Sequence, residues 1–113
     1  MDNEKLYKVV TTKPALHNYQ VRILTYLFEN FSVKRATEIG DSILNTASTL
    51  SRKPARGKYE NYLSSFKEDF RFILFKETRN FELKIVYFIS EADSTVYITD
   101  FFPTKMNPNK LIE

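Results

Sequence analysis

Two neighbouring stretches in the first half of the chain repeat their apolar residues every three or four positions, the spacing of one helix face. The first helix is predicted over residues 14–31, with Pro14 in the first turn, where proline is tolerated. The second is predicted over residues 33–50, with Ser32 as its N-cap. Its apolar stripe consists of Ala36, Ile39, Ile43, Ala47 and Leu50. Because the connection is so short, the two helices are expected to pack as an antiparallel hairpin.

Alternating or β-branched stretches before and after these helices predict strands. The predicted strands cover residues 5–12, 70–77, 81–90 and 94–102. The breaks between the last three are short and polar, so these strands are expected to form an antiparallel meander. Residues 58–69 fit either a partly buried loop or a short helix, and the position of the first strand in the sheet stays open.

The order β-α-α-β-β-β predicts an α+β fold, a small antiparallel sheet with the N-terminal helical hairpin packed on one face. The other face of the meander is expected to carry Arg71 and Lys84. A chain of 113 residues with 42% hydrophobic residues, including ten Phe and seven Tyr, favours one packed core over disorder. We therefore expect a single domain over residues 1–113, with a polar tail over about 103–113.

Several kinds of chemistry are disfavoured by the residues that the chain lacks. With no cysteine there can be no disulfide, thiolate zinc site or cysteine nucleophile. One histidine, His17, cannot complete a usual metal site, and two glycines cannot form a phosphate-binding loop. We expect no metal and no cofactor. No apolar run has the length of a signal peptide core or a membrane span, so a soluble, cytoplasmic protein without membrane contact is expected.

Positive charge is concentrated in the middle of the chain. The net charge is +3. Residues 52–84 hold nine basic and five acidic residues, a net +4 that leaves −1 for the remainder. The stretch "SRKPARGKYE" (51–60) contributes four cations, Arg52, Lys53, Arg56 and Lys58. It could be a linker, a turn or a nucleic-acid-binding patch. Because a chain of this length holds one domain, we expect a turn and not a linker. Pro54 and Gly57 end the second helix there, and the four cations form a positively charged rim that attracts a phosphate backbone.

A series of short motifs follows the same order as the predicted elements. They are "YKVVTTKPAL", "ILTYLFENFS", "LSRKPARG" (50–57), "FRFILFKE", "LKIVYFI" and "VYITDFFPTK". In this order the chain resembles the RelE/ParE superfamily of toxins from type II toxin–antitoxin systems, also called plasmid stabilisation proteins. The resemblance covers nearly the whole chain.

This resemblance implies a toxin that inhibits growth and is neutralised by a cognate antitoxin. Some members are mRNA interferases, metal-independent endoribonucleases that cut mRNA on the ribosome. Others inhibit DNA gyrase on the same fold without catalysis, and a degenerate, non-toxic member is a further alternative. The expected partners are the antitoxin and either the ribosome with its mRNA or DNA gyrase, while the oligomeric state stays open.

Residue by residue, the resemblance implies that Arg71, Lys84 and Lys105 are the catalytic cations. Such cations would stabilise the negative charge that develops on a pentacoordinate phosphate, and a desolvated lysine could act as acid or base. The nuclease members usually keep a Tyr or His near the C-terminus. After Phe102 this chain has neither, which keeps the gyrase-directed alternative open.

Overall fold

The computed structural model describes residues 5–78 and 81–105 as an α+β fold. Its strands are β1 (Lys8–Thr11), β2 (Lys58–Tyr59), β3 (Arg71–Thr78), β4 (Phe81–Ser90) and β5 (Thr95–Pro103). Its helices are α1 (Lys13–Asn18), α2 (Leu24–Asn30) and α3 (Val33–Ser48), with a π-helical stretch, Tyr19–Ile23, joining α1 to α2. Short 3-10 turns cover Thr49–Ser51, Pro54–Arg56 and Asn61–Leu63. The predicted α+β class is confirmed, and residues 106–113 of the predicted tail lie outside the described residues.

The five strands form one sheet in the order β1-β5-β4-β3-β2. The predicted meander is confirmed, because β3, β4 and β5 pair antiparallel. The expectation of a purely antiparallel sheet is wrong, because β1 pairs parallel to β5, with Val9 opposite Val96. Parallel neighbours need a long crossover connection. Here everything between β1 and β5, helices and meander together, forms that crossover, which no local pattern in the sequence reveals.

The two predicted helices begin at side-chain caps. Thr12 accepts a hydrogen bond from the Ala15 backbone N–H, and Ser32 accepts one from Arg35, as predicted for Ser32. The helices are tied together where the buried Tyr19 hydroxyl donates to the Gly40 carbonyl oxygen at 2.9 Å. The predicted stripe of the second helix is buried throughout. The α-helix itself ends at Ser48, two residues before the predicted end, and continues as a 3-10 turn.

Apolar side chains fill both sides of the sheet, but unequally. On the helix side, Ile23, Leu27, Ile39 and Ile43 share one core with strand residues that include Ile85 and Tyr87. On the other side there is a smaller cluster of Leu63, Val86 and Phe102, with Phe70 and Phe72 packed against it. Residues 58–69, which the sequence left ambiguous, thus form a two-residue strand and a covering turn.

Arg71 and Lys84 lie on opposite faces of the sheet, so the expectation that they share the outer face is wrong. Arg71 is directly opposite Tyr87, which belongs to the core on the helix side. Lys84 lies over the ring of Phe72, a member of the smaller cluster. Both alternating sets of β3 contain large apolar residues, so alternation alone could not decide which set faces the helices.

No helix within residues 5–78 and 81–105 is long and apolar enough to cross a lipid bilayer.

Candidate nucleic-acid interface at the basic turn

The basic turn, residues 52–58, connects α3 to the sheet edge. Lys53 takes the left-handed conformation, with φ of 49°, and the Pro54–Arg56 3-10 turn follows at once. Few non-glycine residues adopt this conformation, so the reversal here is sharp. The chain then enters β2, where Lys58 and Tyr59 pair with Phe72 and Arg71 of β3. The four predicted nucleic-acid-binding cations, Arg52, Lys53, Arg56 and Lys58, are all exposed.

Arg56 also has a structural task, because it caps the end of α3. Its Nη1 donates to the carbonyl oxygen of Thr49, the C-cap residue of α3, at 3.3 Å and to that of Arg52 at 2.9 Å, and its Nη2 donates to Thr49 Oγ1 at 2.6 Å. The last carbonyl groups of a helix lack partners within the helix, and a cation there also complements the helix dipole. Arg56 thus holds the turn in shape while its charge stays at the surface.

The turn is fixed to the sheet by the buried hydroxyl of Tyr87. This hydroxyl donates to the Pro54 carbonyl oxygen and accepts a hydrogen bond from the Gly57 N–H at 3.1 Å. Burial raises the pKa of Tyr87, so the hydroxyl keeps the proton that it donates. A Cβ on residue 57 would lie 2.8 Å from the Phe72 carbonyl oxygen, so the close approach requires glycine. Two of the motifs that carry the resemblance, "KPARG" and "KIVY", therefore meet in space.

Arg71 binds the inner side of the same turn. Its Nη1 donates to the carbonyl oxygens of Ala55, at 2.9 Å, and Gly57, at 3.0 Å. Its Nη2 donates to the Tyr59 hydroxyl at 2.9 Å, and its guanidinium carbon lies 4.2 Å from the centre of the Tyr59 ring. These contacts commit both terminal nitrogens of Arg71 to the protein itself. Arg71 therefore adds charge to the basic turn, but its position is fixed by the turn.

Lys84 is enclosed and paired with an acid. Its Nζ donates to Glu60 Oε2 at 2.7 Å, and Glu60 is only 3% exposed. The ammonium group also lies 4.4 Å from the centre of the Phe72 ring. A carboxylate buried to this degree needs a cation or several hydrogen bonds. Lys84 therefore neutralises Glu60 and fixes residues 60–63 over the smaller apolar cluster.

Lys105, the third predicted catalytic cation, lies elsewhere. It is exposed after β5 and lines a surface pocket of about 280 Å³ together with Arg22, Tyr26 and Glu82. Arg71 is opposite Tyr87 on β4, whereas Pro103, the last residue of β5, is opposite Leu83 on β4. Tyr87 and Leu83 are four residues apart, which corresponds to roughly 13 Å along the strand at 3.3 Å per residue. With Arg71 and Lys84 on opposite faces, the three cations do not converge on one phosphate.

The sequence interpretation missed two residues of this region, Tyr59 and Glu60. Glu60 is the only acid among residues 52–67, and an isolated acid in a basic stretch is a signal of pairing that could have been recognised. Tyr59 carries no such signal, because its contact with Arg71 depends on the pairing of β2 with β3.

Comparison with known proteins identifies no relative of this chain. No protein-family model matches it, and neither a curated protein nor a solved structure matches it. Within the described part of the chain, no group of three or more His, Cys, Asp or Glu side chains is arranged to hold a metal ion.

Proposed function

We propose that the protein is the toxin component of a type II toxin–antitoxin system of the RelE/ParE kind. In this proposal it inhibits growth by acting on mRNA at the ribosome, and a cognate antitoxin neutralises it. The sequence resemblance supports the choice of family. The choice of mRNA as target is supported by one observation, the accumulation of cations around the basic turn.

That accumulation follows from the contacts of the turn. Arg56 and Arg71 both lie near enough to the Tyr87 hydroxyl to lower its pKa electrostatically, although burial is the stronger influence and raises it. Lys58 is the neighbour of Tyr59 on β2. The one acid of the segment, Glu60, is buried and neutralised by Lys84. The exposed cations Lys53, Arg56 and Lys58 therefore give the surface of the turn a net positive charge, which draws in a phosphate backbone and releases its counterions.

In this proposal the basic turn supplies affinity and orientation. Contacts to phosphates fix the register of a nucleic acid without reading its bases. Arg71, as a charge fixed at the base of the turn, would stabilise negative charge on a phosphate that lies against it. A proton-transfer role for Lys84 would first require that Glu60 release it, so mRNA cleavage with Lys84 as acid or base carries an additional cost.

A second candidate function is inhibition of DNA gyrase by binding alone. It is favoured by the separation of Arg71, Lys84 and Lys105, because a phosphate transition state needs its cations close together. A non-toxic member of the family is the remaining alternative.

Inducible expression in a bacterial host without any antitoxin tests the toxin proposal. Growth arrest is expected within a few generations of induction, and unchanged growth at verified protein levels would reject both toxin functions. Primer extension on host mRNA then separates the targets. New 5′ ends within translated messages are expected, whereas arrest with DNA breaks and intact messages would favour gyrase.

A pair of double variants tests the role of the basic turn. Lys53→Ala with Lys58→Ala removes two exposed charges from the turn, and Lys13→Ala with Lys34→Ala removes two exposed charges from the helices. We expect the first pair to weaken growth arrest and mRNA cleavage and the second pair to leave both unchanged. If both pairs weaken growth arrest and cleavage equally, the net charge of the protein explains the effect and the basic turn has no specific role.

A further inference from the structure

Tyr59 is a large aromatic side chain that stays 57% exposed although its position is well fixed. Its backbone pairs with Arg71 in the sheet, and its hydroxyl accepts a hydrogen bond from the same residue. The fold therefore holds the ring in place without burying it. Packing gives no reason for this arrangement, since neither apolar core includes Tyr59.

The inner face of the Tyr59 ring is occupied by the Arg71 guanidinium. The guanidinium carbon lies 4.2 Å from the ring centre, which is stacking distance. The hydrogen bonds from Arg71 to Ala55 and Gly57 keep that cation from moving away. A ring supported in this way by a cation is immobilised before any ligand arrives, so a second planar group can stack on its outer face at little cost in conformational entropy.

Charge around the ring differs from side to side. The side chain of Lys58, the residue before Tyr59 on β2, points to the opposite face of the sheet, and Arg56 and Arg71 are the cations on the side of the ring that faces the basic turn. On the other side, Glu68 and Asp69 line a hollow together with Tyr59 and Phe70. An anionic strand would therefore follow the basic turn and avoid the hollow, which gives a bound strand a preferred direction across Tyr59.

We propose that Tyr59 is a stacking surface for one base of a single-stranded RNA, with its phosphates held by the basic turn. Combined aromatic and cationic surfaces are typical of single-strand binding, because every base has a π-face and every nucleotide a phosphate. A protein partner fits less well, because the ring is flanked by charges and an interface core is depleted of them. This inference rests on the RNA-directed function proposed above and adds a specific base-contacting residue to it.

Fluorescence anisotropy with a labelled 12-nucleotide unstructured RNA tests the inference. Tyr59→Ala is expected to weaken binding about 5- to 150-fold, the range measured for loss of one base stack. Tyr59→Phe keeps the ring and should bind like the wild type. Phe28→Ala, which removes an aromatic of α2 that is 47% exposed, is the matched control and should leave RNA binding unchanged. Circular dichroism spectra establish that each variant is folded.

The salt dependence distinguishes stacking from charge. Tyr59→Ala should leave the slope of log K against log salt unchanged, whereas Lys58→Ala should reduce its magnitude by about 1. If the Tyr59→Ala variant binds RNA as tightly as the wild type, the stacking role of Tyr59 is wrong, although RNA can still be the target. If the wild type binds no RNA and primer extension shows no cleavage, the RNA-directed function itself fails, and the inference fails with it.

Discussion

Replacing Lys84 by methionine is expected to destabilise the fold strongly, because the substitution leaves Glu60 buried without its cation. Glu60 is 3% exposed and its carboxylate is bound by Lys84 at 2.7 Å. Within residues 5–78 and 81–105, the other hydrogen bond to the carboxylate comes from the Tyr62 N–H at 3.3 Å and is weak. Breaking a buried pair by removing one partner costs about 3–5 kcal/mol. Since 19% of the Lys84 side chain is exposed, we expect a loss near the lower end, about 3 kcal/mol.

Thermal and urea denaturation of the free protein, followed by circular dichroism, measure this loss. For a chain of this size a loss of about 3 kcal/mol lowers the Tm by roughly 12 °C. The double variant Glu60→Gln with Lys84→Met replaces the pair by neutral groups of similar size. It should recover most of the lost stability, because a neutral replacement leaves no charge buried alone.

Glu60→Gln alone should cost less than Lys84→Met alone, because the flexible lysine can turn its ammonium group towards water. The four proteins form a double-mutant cycle in which the coupling energy measures the pair. A loss below about 1 kcal/mol for Lys84→Met, or a double variant no more stable than that single variant, would refute the structural role assigned to Lys84.

Three further changes test the anchoring of the turn and the partly buried acid Asp100. Gly57→Ala forces a Cβ against the Phe72 backbone and should cost about 1–3 kcal/mol in urea denaturation, more than Gly40→Ala, whose Cβ meets only side-chain atoms. Tyr87→Phe leaves the Gly57 N–H and the Pro54 carbonyl without this partner, for an expected loss of about 1–3 kcal/mol; an unchanged Tm would contradict the anchoring role. Asp100→Asn should stabilise the protein at pH 7 but not at pH 3. Burial raises the Asp100 pKa above 3.8, so the wild-type protein loses stability as the pH rises from 3.8 through the raised pKa, and the neutral asparagine avoids this loss. A gain in stability that does not depend on pH would contradict this explanation.

The helices and the meander were predictable because their signals are local. An apolar period of three or four residues, a serine N-cap and short polar breaks each act within a few residues of the chain. The pairing of β1 with β5 joins residues more than 80 positions apart, as Val9 with Val96. No residue of β1 or β5 specifies the other strand as its neighbour, so this parallel pair and the mixed sheet could not be predicted.

The candidate site was only partly predictable, for a related physical reason. The basic turn is predictable because its four cations lie within seven consecutive residues, 52–58. The roles of Arg71 and Lys84 depended on the faces of β3 and β4, and both faces of β3 are apolar enough to be buried. Leu63 covers the face of the sheet that points away from the helices, so Phe72 packs against an apolar cluster on that face just as Phe75 packs in the core under the helices. The 3-10 turn Asn61–Leu63, which packs on the sheet, therefore determines which face Arg71 and Lys84 occupy.

These contacts change how the variants should be interpreted in a test of the proposed toxin function. Arg71→Ala would release the turn and uncover the inner face of the Tyr59 ring, and Lys84→Ala would leave Glu60 without its cation, so either variant could abolish growth arrest by unfolding. Arg71→Lys is more informative, because lysine keeps the charge but cannot form the same set of hydrogen bonds or stack as a plane. For Lys84, the informative variant is the double replacement with Glu60→Gln, which removes the amine while preserving the fold. Full growth arrest and mRNA cleavage by that double variant would exclude Lys84 from catalysis, whereas a folded protein without cleavage would restore it as a candidate.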